Sequence, residues 1–254
     1  MSAQSPENRE YFPSPPNLPP ASGWFGRLRP VLRQVLDLQV RSVLRTLVPW
    51  LARQQGKMLE VGCGAQPYRH RVPASCRYFC LDWAHVSTQF GYRAPETILY
   101  DGHRFPFRDG AFQAVFHTEV LEHVWDVPAL LRECRRVLDP RTGRLFFSVP
   151  FQARYHYIPY DYWRFTPASL TRLLEEAGFR EIEIRPRGTD VTVAAYKGVS
   201  LIYRWMLSGT PSGALLAVLA LPLMPPLLLA GHLSLFLQLG SPDDCLGYTV
   251  QAHV

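Results

Sequence analysis

Lysine is nearly missing from this chain: Lys57 and Lys197 are the only two, the remaining basic residues are arginine, and the formal charge is +6. No lysine- and arginine-rich run marks a nucleic-acid arm, so nucleic acid is not an expected partner. A modest positive charge still suits anionic lipid or a phosphorylated small molecule. The cysteines Cys63, Cys76, Cys80, Cys134 and Cys245 are odd in number and follow no zinc-ligand spacing. Free thiols in a reducing compartment, and no metal, are the expectation. The N-terminus shows no charged stretch leading into an apolar run, which excludes a recognisable secretory signal and makes the cytoplasm the expected location. Charge of either sign is absent from Trp205 to Pro242.

What is present is ordered along the chain. At 254 residues the sequence can bury one α/β domain with appendages. Residues 1–22, with Pro13, Pro15, Pro16, Pro19 and Pro20, read as a disordered lead. Residues 23–55 form an amphipathic helical region. Leu28, Val31, Leu32, Val35, Leu36, Val40, Val43, Leu44, Leu47 and Leu51 recur at three- and four-residue spacing from Trp24 to Arg53. That helix either packs on the domain or lies on a membrane surface. Strands are predicted at Lys57–Val61, Arg77–Asp82, Thr97–Tyr100, Ala111–His117, Arg144–Val149, Glu181–Arg185 and Gly247–Val254. Between them, Asp126 caps one helix and Thr166-Pro167 opens another that ends at Gly178. Such alternation predicts a Rossmann-like, doubly wound, mostly parallel seven-stranded sheet, with an apolar helical insert before the last strand. The sheet domain would comprise 56–188 with 244–254, and 189–243 the insert.

In a parallel sheet, ligands bind at the carboxyl ends of the strands. After the first strand come Gly62 and Gly64, which let the backbone turn sharply and approach a ligand. The spacing is G-x-G-x-x-P, with Pro67 where a dinucleotide fingerprint has its third glycine. Glu60 suits a cationic, amino-acid-bearing cofactor better than a pyrophosphate. Asp82, after the second strand, can accept from both ribose hydroxyls, or can cap the next element. Asp101-Gly102, after the third, can meet an adenine amino group or simply form a turn.

Four separated motifs then carry a resemblance. They are Leu59-Glu60-Val61-Gly62-Cys63-Gly64; Phe105-Pro106-Phe107 with Asp109-Gly110-Ala111-Phe112; Val120-Leu121-Glu122-His123-Val124; and Arg135-Arg136-Val137-Leu138 leading to Gly143-Arg144-Leu145. From Met58 to about Gly188 the chain resembles class I S-adenosylmethionine-dependent methyltransferases of the ubiquinone- and menaquinone-methylating type (methyltransferase type 11). The resemblance implies that S-adenosyl-L-methionine is the cofactor. It also implies that Glu60, Gly62 and Gly64 line its methionine part, that Asp82 holds the ribose, and that Asp101 and Gly102 contact the adenine. His117 would sit beside the methyl-donor sulfur. The segment His156–Thr166 resembles one found in a subset of these enzymes among cell-envelope and glycan genes, and it would overhang the site as a lid.

Methyl transfer is an in-line displacement, so alignment of donor and acceptor is the main requirement. An oxygen acceptor can also need a base. His156 oriented by Asp161 is the first candidate and His123 the second, although His123 is as well suited to holding its loop. The expected acceptor is a small molecule, a lipid or a lipid-linked glycan. The run Ala214–Leu239 is long enough for one kinked membrane crossing. Two short helices reversing at Pro225-Pro226 would instead keep the last strand in the sheet, making the protein peripheral or monotopic at the cytoplasmic membrane. Burial against the domain or a partner copy is the other use of such a run. Two competing functions stay open: a nicotinamide-dependent oxidoreductase, which Pro67 disfavours, and a non-catalytic membrane-tethered module retaining the fold.

Overall fold

The helical periodicity that opens at Trp24 is interrupted once. Helices α1 (Trp24–Leu36) and α2 (Leu38–Leu51) meet at Asp37. The Asp37 carboxylate accepts from the backbone N–H groups of Gln39 (3.0 Å) and Val40 (3.2 Å), which makes it the N-cap of α2. The single expected helix is therefore two, because an aspartate in its middle satisfies a new helix start. The computed structural model describes residues 24–91, 94 and 96–254, so the lead expected over 1–22 lies outside the described residues. The described residues divide into two compact units, 45–185 with 248–254 and 24–44 with 186–247.

The first unit is built on a seven-stranded sheet of β1 (Gly56–Val61), β2 (Cys76–Trp83), β3 (Ile98–Tyr100), β4 (Ala114–Thr118), β5 (Arg144–Pro150), β6 (Arg180–Pro186) and β7 (Gly247–His253). The order is β3-β2-β1-β4-β5-β7-β6. From β3 to β5 all neighbours are parallel, with Leu59 opposite Phe79 and Val115, and Phe116 opposite Phe146. β7 runs against β6: Arg187 exchanges backbone bonds with Leu246 and Gly247, while Thr249 reaches back to Arg185. The fourth strand starts later than the pattern Ala111–His117 suggests, because Phe112 makes only an isolated bridge to Leu138.

Between the strands lie α3 (Val86–Phe90), α4 (Val127–Val137) and α5 (Pro167–Glu176). Their starts follow the expected chemistry: Asp126 accepts from Ala129 N–H, and Thr166 with Ser169 forms a capping box. The strands are nearly continuous apolar runs because both sheet faces are covered. On one face Trp50 packs against Phe146 and Phe116, with ring centroids 5.2 and 6.2 Å apart. On another part of the core, Phe79 and Phe107 meet Phe112 edge-on.

In the second unit α6 (Asp190–Met206) runs out and α7 (Pro211–Ala220) and α8 (Met224–Leu237) return along it, joined by a 3-10 turn at Leu221–Leu223. The reversal lies at Ser208-Gly209-Thr210, not at Pro225-Pro226. Gly209 takes a positive φ of 67°, and Thr210 caps α7 with Pro211 at its first position. Pro225 and Pro226 occupy the first turn of α8, where a missing N–H breaks no helical bond, so they kink the path without turning it back. The two ends of this hairpin meet, since Asp190 N–H donates to Ser241 carbonyl and Ser241 N–H to the Asp190 carboxylate. Leu38, Val193, Ala195, Leu235 and Leu246 form the unit's core.

Phe116 is fully enclosed between β1, β5 and Trp50. Phe116→Ala is expected to cost about 3–5 kcal/mol through the cavity it leaves, read as a lowered urea midpoint with an unchanged slope.

Candidate active site

The strand order reverses direction between β1 and β4, and a crevice at the carboxyl ends of those strands is the binding position of an open α/β sheet. The loop after β1 enters it. Gly62 and Gly64 have φ of 65° and 50°, and a Cβ on Gly62 would lie 2.6 Å from a Val120 methyl, so no other residue fits there. This loop is tied to the end of β2. Gly64 N–H donates to Asp82 Oδ2 and Trp83 N–H to Oδ1, both at 2.8 Å. Each carboxylate oxygen keeps lone pairs in reserve for hydroxyl donors. Burial pushes the Asp82 pKa up, against the pull of those two N–H bonds.

The other expected cofactor residues are placed differently from one another. Glu60 is buried within β1 and receives the Tyr78 hydroxyl. Burial raises its pKa to about 8, so it takes its charge only where a nearby cation offsets the lost hydration. Asp101 is exposed, and its Oδ1 accepts from His103 and Arg104 N–H in its own turn, which holds its pKa down. Gly102 beside it has a φ of 88° and faces the Trp83 indole. His117 is completely enclosed, stacked on Phe147 at 4.8 Å, and burial lowers its pKa to about 3.

On the far side of the crevice, Leu121–His123 forms a 3-10 turn after β4, and the 156–166 segment follows β5. His156 Nδ1 lies 3.0 Å from Asp161 Oδ2, and Arg164 grips the same carboxylate at 2.6 and 2.9 Å. Burial opposes the Asp161 charge, but Arg164 and His156 outweigh it and hold the carboxyl well below its usual range. His123 packs against His156 with centroids 5.0 Å apart; burial and that neighbour lower its pKa to about 4. The three candidates for proton chemistry are thus brought together.

An aromatic wall joins them, in which Phe90 and Trp83 are the members that sequence patterning did not single out. Phe90 contacts Tyr157 (5.2 Å), Tyr160 (5.8 Å) and His123 (5.9 Å), and Trp83 contacts Tyr160 (5.7 Å). Trp83 and Phe90 belong to β2 and α3, far from the lid in sequence. Their only local signal is their place just after the second strand. Phe165 is buried, while Tyr162 and Trp163 are partly exposed, with the Trp163 indole N–H donating to Val124 carbonyl.

The shifted Glu60 carboxyl has a consequence for stability. Its pKa moves from an ordinary 4.5 to about 8 on folding. Between those values the folded chain holds the extra proton, so its contribution is complete below pH 4.5 and is lost as pH rises toward 8. Glu60→Gln is expected to remove this decline, on the order of a few kcal/mol, when unfolding free energies of both proteins are compared at pH 5 and pH 8.

Residues 59–147 match a family model described as a methyltransferase domain. A probable S-adenosylmethionine-dependent methyltransferase of Mycolicibacterium smegmatis is 31% identical over 141 residues, covering 50% of this chain and 52% of its own length. Another from Mycobacterium tuberculosis is 28% identical over 137 residues, covering 49% of each. The chain spans about half the length of the curated relatives it matches. Among solved structures, the [4+2]-cyclase SpnF superposes with a TM-score of 0.52 at 18% identity, covering 85% of this chain and 82% of its own. A SAM-dependent methyltransferase from Archaeoglobus fulgidus gives 0.50 at 12%, covering 88% and 98%. At such identities these two show the fold alone. Residues 59–147, with their glycine loop tied to Asp82, are therefore similar to the methyltransferase domain of S-adenosylmethionine-dependent enzymes.

Proposed function

We propose that this protein transfers the methyl group of S-adenosyl-L-methionine to a small-molecule, lipid or glycan acceptor held beneath the 156–166 segment. The observation that carries this reading is the Gly64–Asp82 bond, which presents a partly satisfied carboxylate beside a sharply turned glycine loop. In this reading Glu60, Gly62 and Gly64 face the methionine part, Asp82 binds the ribose, and Asp101 with Gly102 borders the adenine. His117 supports β4 beneath the sulfur position. Trp83, Phe90, Tyr157 and Tyr160 exclude water from the sulfonium and add cation–π attraction. For a hydroxyl acceptor, His156, oriented by Asp161, takes the proton, with His123 as the second candidate.

We further propose that the reaction takes place at a membrane surface, entered from one side. Pro211–Leu237 is long and apolar enough to cross a membrane, yet its most apolar stretch is only 11% buried. Leu215, Val218, Leu219, Leu229 and Phe236 all stand exposed, Val218 and Phe236 at 70% and 75%. In the same unit α1 exposes Val31, Leu32, Val35 and Leu36. Apolar area on that scale needs a cover. Since the α6 to α8 hairpin begins and ends at Asp190 and Ser241, which are bonded to each other, a peripheral or monotopic insertion fits better than a crossing.

The cofactor assignment predicts that S-adenosylmethionine raises the melting temperature and that Asp82→Ala weakens its binding about 10–100-fold, the worth of hydrogen bonds to a charged group. Stabilisation by NAD alone would overturn it. Labelled-methyl transfer to membrane extracts, with the same variant as control, reads the activity. For the membrane, the doubly substituted Leu219→Glu, Phe236→Glu chain is expected to lose most of its sedimentation with anionic vesicles at unchanged helicity. A wild-type chain that stays in the supernatant would refute this part.

A further inference from the structure

The methyl-transfer reading leaves Glu122 unused, and Glu122 is the least comfortable residue in the site. Its side chain is completely buried, yet neither carboxyl oxygen has a hydrogen-bond partner among the described residues. A buried carboxyl without partners costs several kcal/mol, so such a group calls for a role. Its Oε1 lies 3.7 Å from His123 Nε2. His123 Nδ1 is 2.6 Å from the Tyr160 carbonyl oxygen, which can only accept, so Nδ1 carries the proton and Nε2 presents a lone pair. The same logic applies to His156. Its Nδ1 lies between Asp161 Oδ2 (3.0 Å) and the Arg154 carbonyl (2.9 Å), both acceptors, which leaves Nε2 as the lone pair.

We propose that Glu122, His123 and His156 hold a divalent first-row transition cation of the zinc or manganese class. One ligand atom from each residue lies within 4.8 Å of the others. Around an ion about 2.0–2.2 Å from each ligand, neighbouring ligands stand roughly 3–3.5 Å apart, so the triad closes by at most about 1.5 Å on binding. Two imidazoles and one carboxylate favour such ions over calcium or magnesium. Nδ1 donation to a carbonyl and to a carboxylate is how proteins fix imidazoles that bind metal through the other nitrogen. The charge also matches. Glu119, Glu122 and Asp161 face one cation, Arg164, so that the carboxylates exceed it by two formal negative charges, the charge a dication would offset.

This inference rests on the methyl-transfer reading for its use and makes His156 a ligand in place of a free base. The acceptor is then a molecule with an ionisable hydroxyl. Its oxygen occupies an open position on the cation and releases its proton to solvent. An oxygen lone pair forms the bond to the methyl carbon as the carbon–sulfur bond breaks, and that bonding pair stays on sulfur, which leaves as a neutral thioether.

The test uses the full chain without an affinity tag, stripped with a chelator and titrated with Zn²⁺ by calorimetry and with Co²⁺ by visible absorption. One equivalent is expected to bind, with the absorption of nitrogen- and oxygen-ligated cobalt. Glu122→Gln and His156→Ala should each weaken Zn²⁺ binding at least about tenfold, while S-adenosylmethionine titrated into the same variants still binds and shows that they are folded. Equal Zn²⁺ uptake by wild type and Glu122→Gln, or none by either, overturns the site and leaves Glu122 a protonated buried acid. Zn²⁺ binding by a wild-type chain that ignores S-adenosylmethionine would sink the methyl-transfer reading and leave the cation site standing.

Discussion

The bond between Gly64 N–H and the Asp82 carboxylate joins the ends of β1 and β2, next to the β1–β4 boundary where the sheet changes winding direction. Much of the site is positioned by it. The glycine loop can turn tightly because Gly62 and Gly64 accept positive φ, and it is held there by the Leu81 carbonyl and the Asp82 carboxylate, which take up its N–H groups. Trp83, one residue on, is thereby set against Tyr160, and α3 delivers Phe90 to the same cluster. In the proposed reading, the cofactor side and the acceptor side meet through these rings.

Burial of ionisable groups gives this crevice its chemical character. Glu60, Asp82 and Glu122 are each pushed toward the neutral acid, while His117 and His123 are pushed toward the neutral base. Asp161, by contrast, is held firmly ionised by Arg164 and His156. A site of this kind responds strongly to an arriving cation, whether a sulfonium, an ammonium or a metal ion.

Much of the sheet was legible because its signals are local. Lys57–Val61 running into Gly62 and Gly64, and Asp126 or Thr166 opening helices, need only a few consecutive residues to be read. Asp82 and the His156–Asp161 pair were also accessible, the first from its place after a strand and the second from short spacing. Contacts that depend on long-range packing were not. Glu122 and His156 are far apart in sequence and share no metal-ligand spacing, and Phe90 meets Tyr157 only because two loops converge. The apolar hairpin misled for a different reason. Prolines were read as the reversal, whereas first-turn prolines are tolerated by a helix and the true turn is Ser208-Gly209-Thr210.

The proposed reaction requires a cofactor lying across the ends of β1 and β2. Hydrogen exchange of the full chain with and without S-adenosylhomocysteine tests this most directly. The expected result is slowed exchange at 62–66 and at Trp83, with little change in β6. Unaltered exchange in the glycine loop, or protection there by NAD and not by S-adenosylhomocysteine, would contradict it.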